Sequence, residues 1–573
     1  MLPSHALPAA VDLGPRSPQA PVRVVLLLRY RNAAALQRFV DVDERRPGVR
    51  PMTRGRFLAE FAPTTAQEAR VLAALRRKGF RILRTYANRT LVDAQAPSQT
   101  IERTFGTEIH DFRQTPYGVR YANVRPMHVP AALQDVAIVD ASTVVRSRAV
   151  QKAADFPKVA SPGNGGLETG TFAPRTTCRS SAALRAAAAQ PTPTPNFGPD
   201  GGWGPAAVAD GLCMPVDYGY DGTGETVGIV IDSTPNPGDI AEYLSKFEIA
   251  RTGTTTVESV DAGVNSNVDA LEATLDVETV SGLAPGANVV VYGMPDLSDQ
   301  SIEDALNLAL SDGRAHVVSA SLSGCETNST AYDAATDAIA LQGAATGVTF
   351  AASSGDQGEY CYDGGNDFPS GVGAPASDPH FVGVGGTQSN RWSNGDSYCS
   401  QSWTPIANPE VWNDCHGASG GGVSTVWAPP PYQAGIVGAS TSGRNVPDIA
   451  LPATYADIYV NGWQLIGGTS WSSPMYAAMQ AEIDQACTSP QSGSSELYGA
   501  FAKAPSEAFV DVVRGNNGTP YFGNSGTTYA ATAGFDNVSG TGIPLGFQIA
   551  VMQCALTNPA LRSYLGYGTS GLK

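Results

Sequence analysis

The sequence predicts an α/β protein whose larger part is a mainly parallel sheet covered on both faces by helices, preceded by a smaller α+β domain. Two observations carry this. After residue 196, short continuous apolar runs alternate with helical stretches, and a strand without a polar face belongs in a sheet buried on both sides. Between about Arg146 and Pro195 the composition turns to Ala, Pro, Gly and Thr, dividing the chain into a domain at 1–145, an exposed linker at 146–195 and a domain at 196–573.

The 573 residues are 42% hydrophobic and 16% charged, which describes a globular chain able to bury large cores. No apolar run approaches the roughly 18 residues needed to span a bilayer, so no membrane association is expected. Met1–Ala20 lacks the basic start and apolar run of a secretory signal, which is either absent or already trimmed. The net charge of −16 conceals a division: residues 1–190 hold 28 of the 37 Lys+Arg and 14 of the 53 Asp+Glu, leaving 9 and 39 for the remainder. A +14 segment thus precedes a −30 segment. The arginines are spread through a folded domain, so the two parts read as each other's partners, not as a nucleic-acid binder.

Eight cysteines without a Cys-x-x-Cys spacing argue against a zinc site and favour disulfides in an oxidising, extracytoplasmic setting, with Cys399–Cys415 the expected pair.

In the first domain, Val22–Tyr30 reads as a strand and Ala34–Val40 as a helix. Thr65 and Glu68 form a capping box for a helix through Lys78, closed by Gly79, and Arg81–Tyr86 returns as a strand. A helix near Ile101–Phe105 and a strand near Glu108–Phe112 follow. In the second domain, strands are expected at Glu225–Asp232, Asn288–Met294, His316–Ser323, Val348–Ser354 and Phe381–Thr387, with helices such as Ser301–Leu310 and Ala331–Gln342 between them. Active groups in such sheets sit at the carboxyl ends of strands.

Three stretches carry chemistry. Gly467–Pro474 joins a strand-like segment, Asp457–Ile466, to a helix at Met475–Gln485 with Pro474 in its first turn, which sets Ser470 beside unpaired N–H groups at a positive helix end. Alone, this reads as a helix cap. Asp269–Leu283 reads as a helix with Glu272 and Asp276 on one face, close enough to share a proton, and Leu271 and Leu275 beside them. A solvated acidic face is the ordinary alternative, weakened here because no Lys or Arg lies between Arg251 and Arg314. Ser354-Gly355-Asp356-Gln357-Gly358 is a Gly-flanked turn carrying one carboxyl, alone an ordinary Asp turn.

In this order, Glu272-x-x-x-Asp276 with Ala284-Pro285-Gly286-Ala287 behind it, Ser354-Gly355-Asp356-x-Gly358 and Gly468-Thr469-Ser470-x-x-x-Pro474 resemble the sedolisin family, serine-carboxyl peptidases of subtilisin-like fold. The first domain resembles the family's pro-kumamolisin-type activation domain. None of the six histidines lies in the His-Gly-Thr-His element that subtilisin itself needs. The resemblance implies Ser470 as nucleophile, Glu272 as general base, Asp276 as the residue that orients it, and Asp356 as oxyanion donor. It further implies an endopeptidase, with a tripeptidyl-peptidase as the alternative, acting on protein or peptide substrates, a monomer made as a zymogen whose own pro-domain inhibits it and is cut off in the linker. A carboxylate titrating at about 4 to 5 suits an acidic medium, where an imidazole base would be protonated.

The charge division suggests that the basic domain docks near neutral pH and loosens on acidification. Asp511–Gly518 and Thr532–Asp536 resemble the family's calcium loop, which implies one structural Ca2+ held by Asp511 and Asp536 side chains and the carbonyls of Val512, Thr532 and Gly534. Thr532 stands where the family more often has Gly. Sequons occur at Asn88, Asn328, Asn517 and Asn537. A secreted glycosidase using an acid/base carboxyl pair leaves the Ser470 turn unexplained, and an inactive binding protein leaves all four catalytic side chains unexplained.

Overall fold

The computed structural model describes residues 10–43, 51–115, 117–147, 197–264, 270–364, 368–393, 402–414, 416–490, 493–519, 528–555 and 558–564. The expected pair Cys399–Cys415 and Asp269 lie outside them.

The larger domain is built on an eight-stranded sheet. Its neighbours run Ser402–Val411, Phe381–Ser393, Thr349–Ser353, Val317–Ala320, Thr226–Ile231, Asn288–Gly293, Thr255–Ser259, with Ile449–Pro452 also beside Phe381–Ser393. All pairings are parallel except that of Ser402–Val411. Alternate residues of the central strands face opposite layers. Val227, Ile229, Val289 and Val317 pack with Ala273, Val277, Ala477 and Ala481 on one face. On the other, Val230, Val290, Val318 and Phe350 pack with Ile302, Leu306 and Ile339. Burial on both sides explains why these strands are apolar throughout.

The smaller domain has a four-stranded antiparallel sheet, ordered Arg81–Thr85, Leu91–Pro97, Pro21–Leu28, Val136–Asp140. On strand Pro21–Leu28, Val22, Val24, Leu26 and Leu28 face the helices Thr65–Arg77 and Ser98–Phe105. Val25 and Leu27 point the other way and join the core beneath the larger domain's helix Asp299–Asp312. That strand is therefore covered on both faces, by its own domain and by its neighbour.

Several elements depart from expectation. The capping box lies one residue earlier, at Thr64 and Gln67, because Thr64-Thr65 and Gln67-Glu68 fit the pattern in two registers and Thr64 takes the extended conformation. The segment 457–466 is a hairpin, Ala456–Tyr459 with Trp463–Ile466, since Asn461 and Gly462 adopt positive φ of 52° and 131°. The helix after it begins at Thr469, so Pro474 lies beyond its first turn. Disulfides join Cys325 to Cys361 and Cys487 to Cys554. Asn88, Asn328 and Asn517 are buried, which removes them as glycan acceptors in the folded chain.

Candidate active site

Four strand ends and two helices converge on Ser470. Trp463–Ile466 feeds into Gly468, whose φ of 133° turns the chain sharply into the helix Thr469–Cys487. Ser470 therefore occupies the second helical position, 3% exposed, with its N–H among the unpaired donors of the first turn.

The helix Leu271–Leu283 is buried nearly all round and lies against the helix of Ser470, which brings Glu272 and Asp276 to the site. The Ser470 hydroxyl stands beside the Glu272 carboxyl and favours its charged form. Glu272 Oε1 and Asp276 Oδ2 are buried without a hydrogen-bond partner among the described residues. Burial, and then the neighbouring charge of Asp276, pushes the Glu272 carboxyl up; burial does the same to Asp276. Glu272 and Asp276, predicted from spacing, thus meet Ser470 in one site.

Asp356 follows the strand Thr349–Ser353 through Gly355, at φ 110°. Its Oδ1 accepts from the Thr469 N–H at 2.8 Å and from the Thr469 hydroxyl at 2.7 Å, and that hydroxyl in turn accepts from the Gly355 N–H at 3.2 Å. Thr469 so ties the turn of Asp356 to the turn of Ser470. Burial pushes the Asp356 carboxyl up to about 6 despite those hydrogen bonds. Oδ2 is left to carry a proton and donate it.

Two residues given no role from sequence also stand here. Asp232, at the end of Thr226–Ile231, is raised to about 6 by burial and adds its charge to the field on Glu272. Ser321, at the end of Val317–Ala320, donates to Asp276 Oδ1 at 2.8 Å. Their position at strand carboxyl ends is the signal that could have found them.

Asp511 and Asp536 come together in one loop. Asp511, exposed, accepts from the Gly534 N–H at 3.0 Å; Asp536, buried, accepts from the Thr532 N–H at 2.8 Å and from Ser539 N–H and hydroxyl at 2.8 and 2.9 Å. Among the described residues no backbone hydrogen bond ends on the carbonyls of Val512, Thr532 or Gly534. Two carboxylates and three free carbonyls form a donor set that fits a hard, oxygen-seeking cation.

Residues 8–141 match the model of the pro-kumamolisin activation domain, and residues 255–499 that of the subtilase family. The chain is 30% identical over 551 residues to Sedolisin of Pseudomonas sp. (strain 101), covering 91% of this chain and 85% of the relative. It is 28% identical over 578 residues to Kumamolisin of Bacillus sp. (strain MN-32), covering 96% and 95%. Among solved structures, Pseudomonas sedolisin complexed with two molecules of pseudo-iodotyrostatin aligns with a TM-score of 0.51 at 28% identity, over 65% of this chain and 99% of that one. With a serine, a carboxylate pair and a third carboxyl gathered at the strand ends of a subtilisin-like sheet, the chain belongs to the sedolisin family of serine-carboxyl peptidases and carries its pro-domain ahead of the peptidase domain.

Proposed function

We propose that Ser470 attacks the scissile carbonyl of a protein substrate while Glu272 takes its proton. The new C–O bond places negative charge on the former carbonyl oxygen, which the Ser470 N–H and a protonated Asp356 stabilise. Collapse breaks the C–N bond as Glu272 returns the proton to the leaving amine. Water then repeats the sequence on the acyl-enzyme. The observation that carries this reading is that the Ser470 hydroxyl stands beside the buried Glu272 carboxyl, where other serine peptidases use an imidazole.

Both carboxyl roles need acid, so activity is expected at low pH, in a secreted, monomeric enzyme with one structural Ca2+ in the loop of Asp511 and Asp536. Endopeptidase action is favoured over release of N-terminal tripeptides because separating the pro-domain from Ser470 requires an internal cut. Hydrolysis of an internally quenched peptide with a blocked N-terminus at pH 3–5, by wild type and by Ser470→Ala, tests the reading. Activity surviving in Ser470→Ala refutes the nucleophile, and cleavage confined to free N-termini selects the tripeptidyl-peptidase.

A further inference from the structure

Ser321 stands between the acid pair and the backbone of Ser470. Its hydroxyl, fully buried, lies 2.8 Å from Asp276 Oδ1 and 3.3 Å from the main-chain oxygen of Ser470. That main-chain oxygen is in need of a donor. In an uninterrupted helix it would accept from the N–H four residues on, but the residue there is Pro474, which has none.

A serine hydroxyl has one proton to give. With Asp276 ionised, both neighbours of Ser321 are acceptors and only one can be served. The charged carboxylate is the stronger acceptor and the Ser321 hydroxyl favours its charge, but the buried Ser470 carbonyl then goes unpaired, at a cost. With Asp276 protonated on Oδ1, the carboxyl donates to Ser321 and Ser321 donates to the Ser470 carbonyl, which regains its donor. The other charged groups facing the pair are Asp232, at the end of Thr226–Ile231, and Asp356, beyond Thr349–Ser353; both are acids that act on Glu272. Neither the helix Leu271–Leu283 nor the helix Thr469–Cys487 carries a Lys or Arg.

We infer that Ser321 is a positioning residue that steers the proton held by the Glu272/Asp276 pair onto Asp276, which leaves Glu272 ionised as the base and anchors the peptide carrying the nucleophile. The inference rests on the catalytic roles proposed above. It makes Pro474 part of the device, since the proline keeps the Ser470 carbonyl available to Ser321.

The test compares wild type, Ser321→Thr, Ser321→Val and Ser321→Ala, each expressed as the full chain and processed in acid, with kcat and KM measured from pH 2 to 7 on a quenched peptide. Thr keeps the hydroxyl; Val matches its shape without it. The acid limb of kcat/KM is expected to stay in place in Ser321→Thr. In Ser321→Ala and Ser321→Val it is expected to move up by about one pH unit, with kcat down about tenfold and KM unchanged. Because Thr and Val fill the same volume, a packing defect alone lowers both alike. Identical limbs in Thr and Val, or a limb unmoved in Ala, overturn the inference. Ser470→Ala separates the two levels: if it still cleaves, the catalytic assignment fails, whereas an inert Ser470→Ala with an unaltered Ser321→Ala refutes the role of Ser321 alone.

Discussion

Thr469 donates twice to Asp356 Oδ1, from its N–H at 2.8 Å and its hydroxyl at 2.7 Å. This arrangement fixes which oxygen of Asp356 can carry a proton, and predicts what an amide would do there. The working form of Asp356 is neutral, so kcat/KM is expected to fall as pH rises through about 6, where that proton is lost. In Asp356→Asn, Oδ1 still accepts from Thr469 while the NH2 donates at every pH. The alkaline limb is then expected to move well above 6. Asp356→Ala, with no donor, is expected to lose about 100-fold or more in kcat. Profiles of wild type and Asp356→Asn that share a limb near 6 would falsify the oxyanion role.

The docking of the two domains carries its own pH dependence, and its sign differs from the one the charge division suggests. Arg23 of the pro-domain meets Asp93 of its own sheet and Asp261 and Asp304 of the peptidase domain; Arg146 meets Asp299. Asp140 and Glu303 add two more carboxyls, and neither oxygen of Glu303 has a hydrogen-bond partner among the described residues. Six carboxyls around two guanidiniums cannot all stay ionised when most are buried.

Burial raises Asp93 and Asp140 to about 7 and pushes Asp299 and Glu303 up as well. Undocked, such groups return towards about 4. Docking therefore takes up protons. These groups favour the docked state in acid and weaken it as pH rises through 7. Asp296 acts oppositely: burial pushes it up, but the Arg120 guanidinium and Ser298 hold it below the usual range, so that pair is lost at the acid extreme. Acidification to about pH 5 thus tightens the contact, and the first cut is expected while the pro-domain is still seated. Hydrogen exchange of helix Asp299–Asp312 in Ser470→Ala full-length chain should show about tenfold or more greater protection at pH 5 than at pH 8. Glu303→Gln should narrow that difference. Greater protection at pH 8 restores the simpler electrostatic account.

What could be read in advance follows the same physics. The parallel strands were legible because burial on both faces leaves an unbroken apolar signal, and Glu272 and Asp276 because a spacing of four places them on one helical face. The hairpin at 456–466 was not, since its Asn461-Gly462 turn is short and its flanks are similarly apolar. Ser321 was invisible because its importance lies in a carbonyl freed by Pro474, some 150 residues away in sequence and adjacent only in the fold. The buried carboxyls between the domains look in sequence like ordinary surface acids. Only the arrangement of both domains shows that Glu303 has no solvent.

The bond between Cys325 and Cys361 closes 36 residues and holds the strand Gly324–Cys325, which begins three residues beyond Ser321. Replacing both cysteines by serine is expected to cost about 3 kcal/mol of stability, chiefly by freeing the unfolded chain. A thermal scan of the double variant in Ser470→Ala background reads this directly. An unchanged midpoint would mean that the sheet pairing of Gly324–Cys325 with Gly373–Ala374 suffices.

The loop of Asp511 and Asp536 separates a structural role from a metal-binding one. Asp536 is buried and receives hydrogen bonds from Thr532, Val538 and Ser539, so its loss is expected to unfold the loop with or without a cation. Asp511 is exposed and is bonded only by the Gly534 N–H among the hydrogen bonds of the described residues, so Asp511→Asn leaves the loop's internal bonds nearly intact. If calcium is held there, saturating Ca2+ at about 100 times its Kd stabilises the wild type by about 2.7 kcal/mol, and a chelator removes that increment. Asp511→Asn is expected to melt where the chelated wild type does and to ignore both Ca2+ and chelator. Removing one carboxylate from a set of two weakens attraction for a divalent ion far more than it weakens a neutral loop. A chelator that leaves the wild-type midpoint unmoved, with direct titration showing no Ca2+ bound, refutes the site.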